Sequence, residues 1–220
     1  MRANINGNEI IRTYTLSSAP GDYNFRISVK RETSEDKAVT NGVFSNYLHD
    51  KISVGDIIDA QAPTGALTYD ASIERQAVLI SAGVGITPMV SMARHTLNEN
   101  IRTRSIRPLT LINAAHNGAQ RAFFSELNEI SQKSDGHIRS FWTLSDVDNT
   151  MKPGEDFHSK GRISKALLQA VLPVDDYDFY LCGPEGFMQT MYDMLRGLGV
   201  NDARIYAESF GPASLARNID

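Results

Sequence analysis

The chain has 220 residues, of which 41% are hydrophobic and 22% charged, a composition typical of globular proteins with one large domain or two small ones. Its formal net charge of −4 at pH 7 gives no reason to expect nucleic acid or an anionic membrane as a partner, because both attract basic surfaces. The single cysteine, Cys182, excludes an internal disulfide and an iron–sulfur cluster held by four cysteines of this chain, and the five histidines show no metal-ligand spacing.

The first third of the chain predicts β structure. Asn6-Gly7 separates two short extended runs, a pattern that favours a hairpin turn. The stretch "FRISVKRE" (25–32) alternates apolar and polar residues, as a strand with one buried face does. A further strand is predicted in "VGDIIDAQAP" (54–63) and one short helix in "NGVFSNYLHD" (41–50). Residues 68–76 have low hydrophobicity and predict a linker to the rest of the chain.

From residue 77 onwards the pattern alternates between strands and helices. Short apolar runs typical of buried strands are followed by segments whose apolar residues recur at helical spacing. The predicted strands are 77–81, 109–115, 138–144, 178–182 and 203–210. The predicted helices are 88–97, 121–130, 164–172 and 185–199. This alternation predicts an α/β domain with a doubly wound parallel sheet of five strands.

The stretch "RTYTLSS" (12–18) predicts a surface for a ligand with two chemical parts. In a strand, Arg12 and Tyr14 would project from the same face, which places a cation beside a flat ring. The hydroxyl groups of Thr15 and Ser17 follow immediately. A ligand with an anionic part and a planar part would suit this face. The alternative is an exposed edge strand that ends in a polar turn.

The stretch "AVLISAGVGITPM" (77–89) predicts an anion site at the end of a buried strand. Gly83 and Gly85 would let the backbone approach a ligand, while the following helix would offer unpaired N–H groups. Pro88 suits the first helical turn, and Thr87 is predicted to cap the helix. The alternative is a tight turn that needs its glycines and binds nothing.

Two further stretches have similar features. In "YLCGPEGFM" (180–188), Cys182 and Gly183 close a strand and open a helix; read alone, Cys182 would be a small buried apolar residue. In "NGVFSNYL", Gly42 precedes a helix that has Ser45 in its first turn. A capped surface helix is the alternative for the latter stretch.

The order of these motifs along the chain resembles that of the ferredoxin–NADP reductase superfamily. The motifs are "RTYTLSS", "VKR", "GVFSNYL", "AGVGITP", "YLCGP" and "ESFGP". The second half is most similar to the reductase modules of flavohaemoglobins and oxygenase reductases, through "AAHNGAQRAFFSEL" and "DYDFYLCGPEGFM". The resemblance implies an antiparallel Greek-key β-barrel that binds FAD at residues 1–72. An NAD(P)-binding α/β domain would follow at 73–212, with a linker-like tail at 213–220.

The resemblance also implies which residues hold FAD. Arg12 would pair with the pyrophosphate, Tyr14 would pack on the isoalloxazine ring, and Thr15 would bond near flavin N5. Phe210 would cover the other face of the ring. The remaining residues that the family motifs place at FAD are Ser17, Val29, Lys30, Arg31, Gly42, Val43, Phe44 and Ser45.

For the nicotinamide nucleotide, the resemblance implies two glycine-bearing strand ends. The first consists of Gly83, Gly85, Thr87 and Pro88, and the second of Cys182, Gly183, Phe187 and Met188. Cys182 would lie near the nicotinamide C4, and the carboxylate of Glu208 would assist proton handling. Thr15, Cys182 and Glu208 are thus the expected catalytic residues.

Residues after the second strand of the sheet bear on the choice between NADH and NADPH. NADPH-preferring relatives tend to place Ser-Arg against the 2′-phosphate, whereas this chain has Ala115-His116-Asn117. Neither His116 nor Asn117 carries the fixed positive charge of an arginine. We therefore expect NADH to be favoured, with Arg121 as the residue that could recruit NADPH instead.

The implied function is an FAD-dependent oxidoreductase that takes a hydride from NADH (or NADPH) to flavin N5. Electrons would then pass to a partner redox protein or to a fused iron–sulfur or other redox domain, since flavin accepts electrons in pairs and releases them singly. Two alternatives remain: a free-standing diaphorase or flavin reductase, and a nucleotide-binding module that has lost FAD. Tyr14 and Phe210, one for each face of a flavin, disfavour the last.

The predicted barrel departs from the family pattern at its start. Only eleven residues precede Arg12, where relatives have further strands, so a closed six-stranded barrel does not fit before the linker. We expect an incomplete barrel whose open edge allows dimerisation. Because no apolar run approaches the roughly 20 residues that span a bilayer, and the N-terminus has no signal-peptide core, we expect a cytoplasmic location.

Overall fold

The computed structural model describes residues 1–33 and 42–209. Phe210 and the tail at 213–220 lie outside the described residues. The described chain begins with a β-hairpin of strands β1 (Arg2–Ile5) and β2 (Asn8–Ile11). Asn6 (φ 53°) and Gly7 (φ 82°) form its turn in the left-handed region, which is the conformation that an Asn-Gly hairpin turn requires.

The strands predicted at 25–32 and 54–63 are reduced to isolated bridges. Leu16 pairs with Ile27, and Arg2 pairs with Asp59. Apolar residues of both stretches are exposed, including Phe25 at 79% and Ile57 at 95%. The prediction of long strands here is wrong in extent, because a run of alternating residues forms a ladder only where another strand lies along it.

The predicted helix at 41–50 is present as α1 (Val43–Lys51). It buries Phe44, which is 3% exposed, and its start lies beside the hairpin region through an aromatic contact with Tyr14. A small antiparallel β element with one helix therefore precedes the α/β domain, in agreement with the predicted order of a β region followed by an α/β domain. Within the described residues, the two-stranded sheet and the isolated bridges stand in the place of the predicted Greek-key barrel.

A parallel sheet of six strands forms the centre of the second domain, in the order β6-β5-β4-β3-β7-β8. The five predicted strands are present, and the short β6 extends the sheet at one edge. The strands are β3 (Ala77–Ala82), β4 (Leu109–Ala115), β5 (Ile138–Leu144), β6 (Ser159–Lys160), β7 (Asp178–Gly183) and β8 (Ile205–Ser209). Strand order reverses between β3 and β7, and ligands of such sheets bind at this switch point, outside the carboxyl ends of the strands.

Helices cover both faces of the sheet. One face packs against α2 (Ile86–Thr103) and α3 (Phe124–Lys133), the other against α4 (Lys165–Val171) and α5 (Glu185–Arg196). Alternate residues of each strand enter the two cores, so that Leu79 lies in one and Ile80 in the other. Burial on both faces explains why these strands read as continuous apolar runs.

The predicted linker at 68–76 is fastened to the second domain by Arg107, whose side chain is fully buried. Its guanidinium donates to the carbonyl oxygens of Asp70 (2.8 Å) and Arg75 (2.6 Å) and pairs with Asp178. Tyr69 lies under the guanidinium, 4.9 Å from its carbon to the ring centroid, and burial raises the pKa of Tyr69 to about 12. The segment that joins the two domains is therefore fixed to the second domain by the contacts of Arg107.

No helix in the described ranges 1–33 and 42–209 has the length and apolar character needed to cross a membrane.

Candidate functional site

The turn after β3 packs closely against the backbone at the end of β7. Residues Gly83–Gly85 form a single turn of 3₁₀ helix before α2. A Cβ on Gly85 would lie 2.2 Å from the carbonyl oxygen of Cys182, at the end of β7. Gly83 has φ 55° and faces open space. Glycine at position 85 thus lets the turn lie against the end of β7 at the switch point, while Gly83 leaves an accessible backbone beside it.

The start of α2 differs from the prediction in one respect. The N-cap is Gly85, with no side-chain capping bond, and Thr87 instead donates its hydroxyl to the carbonyl oxygen of Val84 at 3.0 Å. The predicted capping role of Thr87 is wrong because the helix begins at Ile86, before Thr87. The N–H of Ile86, the first residue of α2, already bonds to the carbonyl oxygens of Gly83 and Val84, and Pro88 has no N–H. The exposed backbone of Gly83 is therefore the part of this turn that an anionic ligand can approach. Thr87 and Pro88 are themselves buried in the first turn.

Cys182 lies next to the glycine turn and is fully buried. Strand register places Ser81 beside it on β3 and Glu208 beside it on β8. Burial, assisted by the negative charge of Glu208, raises the pKa of the Cys182 thiol to about 12. The thiol is therefore neutral at physiological pH and is not a thiolate nucleophile.

The second glycine-bearing strand end packs against an aromatic ring. A Cβ on Gly183 would lie 2.7 Å from Cδ1 of Phe187, which is half-buried in the first turn of α5, and Met188 is buried behind it. The N-cap of α5 is Pro184, and it makes no side-chain capping bond. The structure thus brings the two predicted nucleotide motifs together at one edge of the sheet.

The structure has a buried polar pair at this edge that the sequence analysis did not predict. Ser81 donates its hydroxyl to Oδ1 of Asn113 at 2.7 Å, and both side chains are buried. They point from β3 and β4 to the same face as Cys182. The only sequence signal was a polar residue inside an otherwise apolar strand, as in "LIS" and "LIN", and it does not indicate a partner on another strand.

In the N-terminal region, residues 12–15 lie outside any strand, so the predicted strand face that Arg12 and Tyr14 would share is not formed. The Tyr14 ring is half-buried, and its centroid is 6.0 Å from that of Phe44. Burial raises the pKa of Tyr14 above its ordinary value despite the nearby Arg12, so the hydroxyl is neutral. The Arg12 side chain is exposed and donates to the carbonyl oxygen of Ile11. Thr15 is half-buried next to these groups.

Gly42, at the start of α1, is bonded to Glu32 and to the first turn of the helix. The Gly42 N–H donates to the carbonyl oxygen of Glu32 at 3.0 Å, and Ser45 donates its hydroxyl to the carbonyl oxygen of Gly42. A Cβ on Gly42 would lie 2.7 Å from the Ser45 hydroxyl oxygen. Gly42 is the N-cap and makes no side-chain capping bond. Val43 beside it is exposed.

The stretch Val29 to Arg31 lies along α1. The Val29 carbonyl oxygen is 2.9 Å from Nε2 of His49, and Arg31 pairs with Asp50 at 2.7 Å. Lys30 is exposed. Both cations have an acid partner, since Lys30 faces Glu32 at 3.4 Å, but the Lys30 side chain is the more exposed of the two.

Ser17 is fully buried and does not present its hydroxyl to the surface. Its oxygen lies 2.9 Å from the Ser28 hydroxyl and accepts a bond from Nε of Arg26. The structure therefore separates Ser17 from the group formed by Arg12, Tyr14 and Thr15, because its bonding capacity is used inside the N-terminal region.

At the end of β4, the predicted nucleotide-selecting residues differ in accessibility. His116 is exposed, while the Asn117 side chain accepts a bond from the N–H of Gln120. Arg121 is 12% exposed in its side chain and faces Asp156 at 3.6 Å. Its guanidinium carbon lies 3.8 Å from the centroid of the Phe124 ring. The charge of Arg121 is therefore directed into the protein.

Glu208 reaches from the second domain toward the first. Its Oε1 lies 3.7 Å from the position of a Cβ on Gly65, which precedes the linker. The carboxylate thus lies at the junction of the two domains, on the strand adjacent to Cys182. Phe210, the predicted cover of a flavin face, is outside the described residues.

Comparison with protein families identifies two adjoining domains. The family model of the oxidoreductase FAD-binding domain matches residues 1–69. The model of the oxidoreductase NAD-binding domain matches residues 79–193.

Individual proteins show the same similarity. The chain is 37% identical over 206 residues to a flavohemoprotein of Rhizobium meliloti, covering 94% of this chain and 49% of the relative. A flavohemoprotein of Bacillus subtilis is 34% identical over 210 residues, covering 95% of this chain and 49% of the relative. The chain thus spans about half the length of the curated relatives it matches.

Solved structures extend the comparison to the fold. The flavohem-like FAD/NAD-binding domain of nitric oxide dioxygenase from Vibrio cholerae superposes with a TM-score of 0.80 at 35% identity, covering 96% of this chain and 82% of that chain. The cytochrome b5 reductase domain of Ulva prolifera nitrate reductase has the same fold, with a TM-score of 0.80, 20% identity, and coverage of 94% of this chain and 82% of that one.

Proposed function

Because the chain belongs to the oxidoreductases of the ferredoxin–NADP reductase superfamily, with an FAD-binding and an NAD-binding domain, we propose how its residues divide the work of electron transfer. It is an NAD(P)H-dependent flavoprotein reductase module. The observation that carries the proposal is the meeting of Gly85 with Cys182 at the switch point, beside a Glu208 carboxylate that reaches the first domain.

The described residues fit both cofactors. The exposed and sterically open backbone at Gly83 suits a nucleotide diphosphate. The half-buried ring of Tyr14 beside the exposed cation of Arg12 suits a planar ring joined to an anion. Bound FAD would supply a carrier that accepts a hydride as an electron pair and releases electrons singly.

We assign the remaining roles to the chain's own side chains. Cys182 offers an uncharged surface to the nicotinamide, which its neutral thiol suits. Thr15 is placed to share a proton with the flavin ring, and Glu208 to carry a proton between that ring and solvent. Because positioning rather than acid–base chemistry drives hydride transfer, these residues act chiefly by orienting the two rings. The domain limits follow the same division, 1–72 for FAD and 73–212 for the nucleotide.

The preferred nucleotide is NADH. The supporting observation is Arg121, whose guanidinium is directed toward Asp156 and the Phe124 ring instead of solvent. A 2′-phosphate would have to break those contacts to use this charge. Replacing Asp156 with alanine should therefore raise the ratio of kcat/KM for NADPH to that for NADH. Asp148→Ala, which changes an exposed acid in the same loop, is the matched control. An unchanged ratio in Asp156→Ala would contradict this assignment.

The electron acceptor is a partner redox domain or protein that takes electrons singly. The first domain also exposes apolar side chains, at Ile11, Phe25 and Ile57, which support a protein-binding surface there in addition to the one for the electron acceptor. We assign it to a second copy of the chain, which sedimentation equilibrium tests, with Phe25→Ser expected to favour the monomer. A concentration-independent monomer in the unchanged chain would exclude the dimer.

A cytoplasmic location is part of the proposal, since a reducing compartment keeps Cys182 as a thiol.

A titration separates the enzyme from a simple binding protein. FAD is added to the purified protein, followed by NADH and ferricyanide. We expect saturable FAD binding and FAD-dependent oxidation of NADH. Absence of NADH oxidation at saturating FAD would overturn the proposed function. High turnover with free flavin and none with one-electron protein acceptors would instead identify a free-standing diaphorase.

A further inference from the structure

Four alternating charges join the two domains at a distance from the strand ends. Arg26 donates to both carboxylate oxygens of Glu126, at 3.0 Å each. Arg94 donates to the same carboxylate at 3.0 Å and also to Asp22, at 2.8 Å and 3.1 Å. Arg26 and Asp22 belong to the first domain, whereas Arg94 lies on α2 and Glu126 on α3. The carboxylate of Glu126 is thus shared between one cation from each domain.

One face of α2 carries the rest of this junction. Ser91 donates its hydroxyl to the carbonyl oxygen of Ser18 at 2.6 Å. Asn98 donates to Asp22 at 3.3 Å. Ser91, Arg94 and Asn98 are three and four residues apart, so they line the same side of the helix. The first domain is therefore docked along α2 by directed polar bonds.

The charged groups of this junction are held by further contacts from both domains. Arg26 donates to the carbonyl oxygen of Ser17 at 2.6 Å and lies over the Phe123 ring, 5.2 Å from its centroid. Burial would raise the pKa of Asp22, but the Ala19 N–H and the Arg94 guanidinium outweigh it and lower that pKa below its ordinary value. Asp22 and Glu126 are therefore each positioned by more than one hydrogen-bond donor.

The junction connects the two ends of the proposed reaction. The docked loop 17–26 follows directly after Arg12, Tyr14 and Thr15, the proposed flavin contacts. The docking helix α2 begins at the glycine turn, the proposed nucleotide contact. A shift of loop 17–26 along α2 would therefore move one site relative to the other.

We propose that Glu126 is a positioning residue for hydride transfer: it holds Arg26 and Arg94 so that the flavin and nicotinamide sites keep their reactive separation. The inference rests on the proposed function. Glu126 touches neither proposed cofactor contact, so its effect should fall on the rate of the transfer step and leave the binding of either cofactor intact. Misplacement by about 1 Å can reduce the rate of a positioned reaction by about 100-fold.

The test compares Glu126→Gln with Glu129→Gln. Glu129 lies on the same helix and makes an exposed pair with Lys133, so it controls for loss of an acid from α3. Stopped-flow reduction of the FAD-loaded protein by NADH measures the limiting rate and the apparent dissociation constant separately. We expect Glu126→Gln to lower the limiting rate at least tenfold, with FAD affinity and NADH dissociation constant within twofold of the unchanged protein. Glu129→Gln should reduce at the unchanged rate.

Other outcomes overturn the inference. An unchanged limiting rate in Glu126→Gln would exclude a positioning role, and a loss of FAD affinity equal to the loss of rate would show a merely structural one. If Glu126→Gln does not fold, Arg94→Lys keeps the charge while removing the forked geometry, and it must show the same rate-selective loss.

Hydrogen exchange distinguishes failure of the inference from failure of the proposed function. Glu126→Gln should speed amide exchange in residues 17–26 whether or not FAD is bound, while Glu129→Gln should not. Faster exchange in a protein that never oxidises NADH would retain the junction and remove the proposed function. Unchanged exchange would remove the junction.

Discussion

The sheet domain and the region before it are stabilised by different interactions. Strands β3, β4 and β7 are buried on both faces between pairs of helices. The first domain instead exposes apolar residues such as Phe25 and Ile57. Its contacts with the sheet domain include hydrogen bonds and ion pairs, through Arg26, Arg94 and the carbonyl oxygen of Asp70. At the end of this region, Leu67 and Tyr69 also pack against the apolar core of the sheet domain.

This difference indicates how the two domains contribute to function. A close-packed parallel sheet has one arrangement of its strand ends, so the glycine turn at Gly85 is rigidly placed. A domain held by hydrogen bonds and ion pairs can be displaced at a smaller cost. We therefore infer that the nucleotide side is rigid and that the placement of the flavin side is adjustable.

Among these predictions, replacing the buried Arg107, which clamps the linker to the sheet domain, should have the largest effect on stability. Of the three cations that face Asp178 within the described residues, Arg107→Met removes the fully buried one, and with it the bonds that fasten the linker. We expect the free energy of unfolding to fall by about 3–5 kcal/mol, the usual result of breaking a buried ion pair. Urea unfolding measures it, and Arg102→Met, at an exposed position on α2, should change far less. Equal losses in both variants would contradict a clamp.

Adding a methyl group at the switch point should have the next largest effect. Gly85→Ala would force its Cβ against the backbone of Cys182 and Gly183. Overpacking of this kind costs about 1–3 kcal/mol, and NADH-dependent flavin reduction should be lost. Gly186→Ala is the control, because a Cβ there meets nothing within 4 Å. Unchanged stability and unchanged NADH use in Gly85→Ala would refute the close approach.

Salt should weaken the polar junction more than the sheet. Raising the salt from 0.1 to 1 M shortens the Debye length from about 10 to about 3 Å, and the side chains of Arg26 and Arg94 are 37% and 33% exposed. We expect a change of no more than about 1 kcal/mol at the junction, seen as slower flavin reduction with nearly constant urea midpoint. The Glu126→Gln variant should be less salt-sensitive, and equal sensitivity would count against the junction.

The smallest effect concerns His158 at the sheet edge. Its Nδ1 accepts the backbone N–H of Trp142 at 3.1 Å, and burial lowers the pKa of His158 below 6.5. The unfolded chain thus binds this proton more readily, so the stabilisation is complete above pH 6.5 and is lost as the pH falls through the lower folded pKa. Thermal unfolding from pH 8 to pH 5 should show this loss, and His158→Gln should reduce it. An identical pH dependence in the variant would contradict the assignment.

The strands of the sheet were predictable because each is an apolar run buried by its own neighbours. Ala77–Ala82 and Asp178–Gly183 needed only local composition and the glycines that follow them. The two glycine turns could be predicted for the same reason. The start of α2 at Ile86 could not be predicted, since Thr87 satisfies the usual capping pattern and yet bonds to Val84.

Features that depend on distant partners were not predictable. Arg107 reaches its acid across 71 positions of the chain, and Arg26 reaches Glu126 across 100. No local pattern identifies which of many exposed-looking arginines will be buried. The strands at 25–32 and 54–63 failed for a related reason, because alternation specifies a face but not the presence of a neighbouring strand.

The central claim is that the strand ends at Gly85 and Cys182 present a reduced nicotinamide to a flavin held near Tyr14. Adding NADH without oxygen to the FAD-loaded protein, while following the visible absorbance of the flavin, tests it most directly. We expect the unchanged protein to lose the yellow colour of oxidised flavin and Gly85→Ala to keep it. A flavin that stays oxidised in the unchanged protein, with FAD bound and NADH in excess, would contradict it.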